Sequence, residues 1–234
     1  MKTVLITGAS GGIGSAAARA FHAAGHFVVL HYFKNESAAD ELRKELPHSA
    51  VFRADLRDPA QISALADAFP ETDVLVNNAG VELFSLFDLV TEEQEKNLYD
   101  VNLLAPIRLT RRLLKPMLAR RSGVILNVSS YFGEIGGSCE TDYSAAKAGL
   151  IGFTKALAKE VGPSGIRVNC VCPGIIRTPM NDRLTAEEEA ELTESIPLDR
   201  FGTADEVART LVFLAGEDAS YITGAVLDVN GGIL

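Results

Sequence analysis

Two side chains four residues apart, Tyr143 and Lys147, make the most direct chemical suggestion in this sequence. At the start of a predicted helix that spacing puts them on one face, a turn apart. A phenol with a pKa of about 10 is a poor proton donor near neutrality, and an adjacent ammonium favours the phenolate and lowers that value. The pair could thus deliver a proton to an oxygen on which negative charge develops. The same spacing is also ordinary on solvated helix faces, so it needs partners before it means catalysis. Ser129 and Ser130, shortly before it, each offer a hydroxyl that could donate to that oxygen.

A second constellation suits an anion. Thr7-Gly8-Ala9-Ser10-Gly11-Gly12-Ile13-Gly14 runs directly into the alanine-rich segment Ser15–Ala24. Glycines let a backbone turn tightly and approach a pyrophosphate, and a helix N-terminus presents N–H groups to it. Other chemistries are poorly served. His22, His26, His31 and His48 show no H-x-x-x-H or H-E-x-x-H spacing, and Cys139, Cys170 and Cys172 lack a second zinc-like ligand pair. Free, buried or half-buried thiols are expected, with no metal site and no histidine base.

The elements that must position these groups follow from the apolar pattern. Short β-branched runs at Val4–Thr7, Phe27–Tyr32, Ala50–Arg53, Asp73–Asn77, Val124–Ser129, Ile166–Val171 and Ala225–Val229 alternate with amphipathic stretches of helix length. Such alternation implies a parallel sheet covered on both faces, an α/β doubly wound, Rossmann-type fold of about seven strands. Ligands then bind beyond the carboxyl ends of the strands. With 234 residues, 47% hydrophobic and 23% charged, and no low-complexity run, a single domain over 1–234 is expected. The first residues hold too short an apolar stretch for a signal peptide or membrane span, so a cytoplasmic protein is expected, with no membrane partner. A formal charge of −9 opposes a phosphate backbone, which disfavours nucleic acid as a partner.

The spacing G-x-x-x-G-x-G after the first strand resembles that of the short-chain dehydrogenase/reductase family, and further motifs fit the family in order. They are Asp55-Leu56 after strand three, Asn77-Asn78-Ala79-Gly80 after strand four, Pro173-Gly174-Ile175-Ile176-Arg177-Thr178 after strand six, and the ending Tyr221-Ile222-Thr223-Gly224 with Gly231-Gly232. The resemblance implies a nicotinamide-dependent ketone reduction. Its catalytic set falls on Asn102, Ser130, Tyr143 and Lys147, with Ser130 preferred over Ser129 because it lies thirteen residues before Tyr143. In this reading Asn102, in the long helix after strand four, holds a water that relays protons to Lys147. Cofactor contacts are implied at Gly8, Ser10, Gly12, Ile13, Gly14, Asp55, Leu56, Asn78, Ala79, Gly80, Tyr143, Lys147, Pro173, Gly174, Ile176 and Thr178. At the end of strand two, Tyr32 stands where an acid would grip the adenosine 2′-hydroxyl, while Lys34 and Asn35 could meet a 2′-phosphate. NADP(H) is therefore expected over NAD(H), although Gly11 stands where many NADP-dependent relatives carry a basic residue.

Within the family, Pro173–Met180, Ile196–Gly202 and Asp218–Gly224 look like bacterial 3-oxoacyl-acyl-carrier-protein reductases, with a substrate lid over about 175–201. The glutamates of that lid, Glu187, Glu188, Glu189, Glu191 and Glu194, read as a solvated helix face. Arg108, Arg111, Arg112 and Lys115 share one helical face, and Arg120-Arg121 follow. This stripe could steer an acidic acyl carrier protein, with Arg121 at a docking position and Arg167 near a second, or lie in a subunit interface. The resemblance implies a homotetramer. Gly136-Gly137-Ser138-Cys139-Glu140 instead resembles reductases of 5-aminopentanone-modified elongation factor P. Glu140 could then meet a cationic amine, although an acid in a surface loop is the commoner arrangement. An inactive nucleotide-sensing scaffold is the alternative of another class.

Overall fold

The sheet is built from strands whose alternate residues are buried on opposite faces. The computed structural model describes residues 1–178 and 185–233. Its main sheet joins β1 (Thr3–Ile6), β2 (Phe27–Tyr32), β3 (Ser49–Arg53), β4 (Val74–Asn77), β5 (Gly123–Val128), β6 (Ile166–Pro173) and β9 (Val226–Val229). The order is β3-β2-β1-β4-β5-β6-β9, with every pairing parallel. All seven expected strands are present, β2 with the expected bounds and the others with ends shifted by at most two residues. A further two-residue pair, β7 (Ile176–Arg177) with β8 (Gly202–Thr203), was not legible because two residues leave no period to read.

Even and odd strand positions serve different cores. Val4, Ile6, Val28, Leu30, Val74 and Val76 pack under α1 (Gly12–Ala23), α2 (Glu36–Glu45) and α9 (Ala204–Ala215). Leu5, Val29, Leu75 and Ile125 pack under α3 (Pro59–Ala68), α5 (Ala105–Arg120) and α7 (Thr141–Val161). A side-chain period of two and a cover on both faces make these strands nearly all apolar. The exceptions are informative. Asn77 and Asn127 sit opposite each other on β4 and β5, both buried. Asn77 Nδ2 donates to Asn127 Oδ1 at 2.9 Å and to Thr110 Oγ1 of α5 at 3.2 Å, and Asn127 Nδ2 donates to Thr154 Oγ1 of α7 at 2.8 Å. This polar ladder fixes both helices against the sheet, since its amide donors are buried and would be costly to leave unpaired.

The strand order reverses between β1 and β4, where a doubly wound sheet opens a crevice at its carboxyl edge. The glycine loop follows β1 and Asn78 follows β4, one on each side of that point. Beyond it lie α4 (Glu92–Tyr99) and a five-residue π turn, Asp100–Leu104, that leads into α5. Asn102 is in this turn, so the expected long helix is interrupted where it carries that residue. After β5, the short α6 (Phe132–Ile135) precedes α7, and α8 (Ala186–Glu194) stands between β7 and β8. Residues 179–184 of the expected lid, among them Met180, lie outside the described residues. No described helix is long and apolar enough to cross a membrane.

Candidate active site

Strand ends and helix starts bring Asn102, Ser130, Tyr143 and Lys147 together. Ser130 follows β5 and is buried; its Oγ accepts from Phe132 N at 3.2 Å, which leaves its proton for the Tyr143 phenol it bonds. Ser129 turns the other way. Its hydroxyl donates to the Lys147 carbonyl at 2.9 Å, so it anchors α7 and is spent. Tyr143 and Lys147 occupy the first two turns of α7, with Lys147 Nζ 5.5 Å from the centre of the Tyr143 ring. That ammonium is buried and donates to the Val128 carbonyl at 2.9 Å. Burial brings its pKa down to about 8.

The protein around the phenol holds its proton tightly. Burial of Tyr143 raises its pKa above the ordinary value, the bond from Ser130 opposes this, and the carboxylates of Glu140 and Glu82 push it further up. Lys147 does not reverse that balance, because desolvating a phenolate costs more than an ammonium already bonded to a carbonyl returns. Glu140 also differs from the surface-loop arrangement. It is 6% exposed, at the entrance to α7, and its charge acts on Tyr131 as well, whose hydroxyl burial raises to about 12.

Asn102 is fully buried and tied to the segment after β4. Its Oδ1 accepts from Val81 N and its Nδ2 donates to Val81 O, both at 2.8 Å. A water relayed toward Lys147 would therefore need the second lone pair of Oδ1 or a main-chain group. Gly80 completes the arrangement: a Cβ there would lie 3.5 Å from Asn102 Oδ1 and 3.6 Å from Lys147 Nζ. A side chain at this position would close the space in front of both.

The glycine loop is a cradle that side chains would fill. Gly8 has φ +67° and lies so close to Ala79 that a Cβ would approach its Cα to 3.0 Å. A Cβ on Gly14 would fall 2.2 Å from the Gly8 carbonyl oxygen. Gly12, Ile13 and Gly14 open α1, which has neither a side-chain cap nor an acid in its first turn among the described residues, so its N-terminal amides face outward for an anion. Thr7 Oγ1 accepts from Asn78 N and Ala79 N at 3.0 Å each, and Asn78 Nδ2 donates to Thr7 O at 2.9 Å. Ser10 is half-buried at the rim. This backbone-lined hollow fits a dinucleotide pyrophosphate.

At the adenosine end several expected contacts are already committed. Tyr32 is buried and its hydroxyl bonds Glu36, an acid at the start of α2 that was not expected near the strand tip. Asn35 caps α2 by accepting from Ala38 N at 3.1 Å, which leaves only its amide protons for a phosphate. The Asp55 carboxylate is gripped by Arg57, with an N–O separation of 2.6 Å, and its own N–H donates to Gln61. That pair holds the Asp55 carboxyl below its usual range. Leu56 is buried beside it. Lys34 is exposed, and Arg53 and Arg57 join it around Phe33: Arg53 Nε donates to the Phe33 carbonyl and Arg57 stacks 5.4 Å from its ring centre. The signal for these two arginines was their position at and just beyond the end of β3.

Across the crevice, Pro173 ends β6 and Gly174 follows it. Gly174 packs so tightly that a Cβ would lie 2.7 Å from Asn230 Cα. Ile176 is buried in β7, and Thr178 is half-buried at its end. The basic stripe is partly consumed. Arg108 pairs with buried Asp100 at 3.0 Å, together with Lys96, and Arg120 is held by Thr72 O, Glu71 and Asp73. Burial alone would raise the Asp100 carboxyl, but the two cations outweigh it. Arg121 is exposed and donates to Pro163 O at 2.8 Å. Arg167 is not a surface docking group, since it donates to the Leu214, Gly216 and Ile222 carbonyls. Arg111, Arg112 and Lys115 remain exposed.

The whole chain has close relatives. A family model described as enoyl-(acyl carrier protein) reductase matches residues 8–234. A solved structure titled short chain dehydrogenase/reductase family protein superposes with a TM-score of 0.93 at 33% identity, covering 99% of this chain and 96% of the other. The chain belongs to the short-chain dehydrogenase/reductase family. Similar members include nodulation protein G of Rhizobium sp. (strain N33), 42% identical over 99% of this chain and 96% of that protein. The uncharacterized oxidoreductase YmfI of Bacillus subtilis (strain 168) is 41% identical over 99% of this chain and 98% of its own. The 3-oxoacyl-acyl-carrier-protein reductase of Rickettsia felis is 40% identical over 100% and 97%. As a member of this reductase family the chain is an oxidoreductase, and its three cysteines are free thiols, Cys170 and Cys172 buried and Cys139 half-buried. The described residues also bring ligand atoms of Glu134, Cys172 and Asp228 within 4.8 Å of one another, where a hydrogen bond donated by the Glu134 carboxyl to Asp228 holds its pKa above the usual carboxylate range.

Proposed function

We propose that this protein reduces a ketone to a secondary alcohol with NADP(H), and that its substrate is a 3-oxoacyl thioester on an acyl carrier protein. The observation that carries the reading is the convergence of Ser130, Tyr143, Lys147 and Asn102 beside the glycine cradle. The cofactor would be held by Gly8, Ser10, Gly12, Ile13 and Gly14 at its phosphates and by Lys34, Asn35, Asp55 and Leu56 at its adenosine. Asn78, Ala79, Gly80, Pro173, Gly174, Ile176 and Thr178 would line the rest. When bound, it supplies the hydride and, once oxidised, a positive ring that favours the phenolate.

Ser130 donates to the carbonyl oxygen as charge develops there, and Tyr143 protonates it. Lys147, with a pKa near neutrality, can restore the phenol's proton. An exposed Lys34, flanked by Arg53 and Arg57, supports NADP(H) over NAD(H). The four side chains gathered around one space argue against an inactive scaffold. Homology to 3-oxoacyl reductases supports the thioester, and the exposed cations Arg111, Arg112, Lys115 and Arg121 suit an acidic carrier in a cytoplasmic homotetramer.

One observation favours a second substrate: the buried Glu140 carboxylate beside Tyr143 would suit the cationic amine of 5-aminopentanone-modified elongation factor P. The test assays both substrates with NADPH. Turnover of acetoacetyl-carrier protein, weakened by salt and lowered at least ~10²-fold by Tyr143→Phe, is the expected result. Turnover of the modified elongation factor alone, lost on Glu140→Gln, would overturn the thioester.

A further inference from the structure

The glycine loop is held from both sides, and the second hold comes from a residue outside every motif. His31, on β2, is 2% exposed among otherwise apolar neighbours. Its Nδ1 accepts the Gly8 N–H at 3.1 Å, and its Nε2 lies 3.0 Å from the Ala54 carbonyl. The first contact requires a bare Nδ1 and the second a protonated Nε2, so one neutral tautomer satisfies both. The main chain reinforces the link: Ala9 N donates to His31 O at 2.8 Å and Ala54 N to Tyr32 O at 3.0 Å. One ring thus joins the turn after β1 to the turn after β3, where Asp55 begins the adenosine end. Gly8, whose N–H it holds, is also the residue whose carbonyl accepts from Gly11 N at 3.1 Å and leaves no room for a side chain on Gly14.

We infer that His31 is a positioning residue for the dinucleotide, setting the Gly8 peptide and through it the amides at the start of α1. It touches neither substrate nor reacting atoms, so its loss falls on cofactor affinity more than on turnover. The inference rests on the cofactor reading above, and it divides the two halves of the ring between two substitutions. Asparagine places an oxygen where Nδ1 stands and keeps the acceptor for Gly8. Glutamine places an amide where Nε2 stands and keeps the donor for Ala54, leaving the Gly8 N–H orphaned.

The experiment measures NADPH and NADH dissociation constants by fluorescence titration, and amide exchange across residues 7–15 by mass spectrometry, for wild type, His31→Asn and His31→Gln. Expected are affinity within a few-fold of wild type and slow exchange for His31→Asn. For His31→Gln, at least ~10-fold weaker binding and faster exchange in the loop are expected, with the cofactor KM rising more than kcat falls. Equal affinity and equal loop exchange in wild type and His31→Gln would overturn the inference, as would loss in both variants that merely tracks their melting temperatures. Failure of the wild type to bind either nucleotide would instead sink the cofactor reading, and the loop exchange would still judge the clamp.

Discussion

The two ends of the crevice are made of different material. At the cofactor end, the turn from Thr7 to Gly14 is fixed by main-chain groups and polar side chains, buried Thr7 and half-buried Asn78 on one side and buried His31 on the other. At the other end, the segment after β4 displays Phe84, Leu86, Phe87 and Leu89 to solvent, and the described residues around β7 and β8 are braced by exposed ion pairs, Arg177 with Glu189 and Arg200 with Glu206. A ligand of constant shape can be met by rigid backbone. A variable one is better met by side chains on mobile supports, where substitution is cheap.

That contrast can be broken first at Gly14. A Cβ there meets backbone that cannot give way, so Gly14→Ala should abolish measurable dinucleotide binding and cost about 3 kcal/mol in chemical denaturation, toward the upper end of overpacking. A variant that bound and unfolded like wild type would show the cofactor end to be pliable.

Acid sharpens the same comparison. Burial lowers the His31 pKa to about 4 from an ordinary 6.5. Between these values the unfolded chain takes up a proton that the folded one refuses, so stability falls as pH drops from 6.5 toward 4 and is fully present above it. The contribution is on the order of 3 kcal/mol. Urea denaturation across that range should show a slope that His31→Asn reduces, and an unchanged slope would assign the acid sensitivity elsewhere.

The smallest effect belongs to the exposed ion pair beside β8. Arg200→Ala breaks an exposed ion pair with Glu206 and should change stability by less than about 1 kcal/mol, while releasing the strong hold that keeps the Glu206 carboxyl near a pKa of about 2. A loss as large as that at Gly14 would mean that the two ends are equally rigid.

The difference also governed what could be read from sequence. The central strands were legible because burial on both faces leaves unmistakable apolar runs, and the glycine loop because only glycine tolerates its contacts. Tyr143, Lys147, Ser130 and Asn102 were legible through their register within a family. His31 was not, since a buried histidine holding two main-chain groups leaves no spacing to detect. Glu140 was read toward the surface because burial of a loop acid depends on what packs over it. The commitments of Asn35, Asp55 and Arg167 were equally hidden, since a side chain's partner is a fact of three dimensions.

The π turn at Asp100–Leu104 has a consequence for any comparison of chain lengths. It holds one residue more than an α-helix would need to cover the same axial distance. Deleting that residue would let Glu92–Arg120 wind as an unbroken α-helix and swing all that follows by about 100°. Asn102 would leave its hold on Val81, and the apolar stripe of α5 would turn away from the sheet. A single-codon deletion here would therefore act as a phase error rather than a shortening, felt more than fifteen residues downstream.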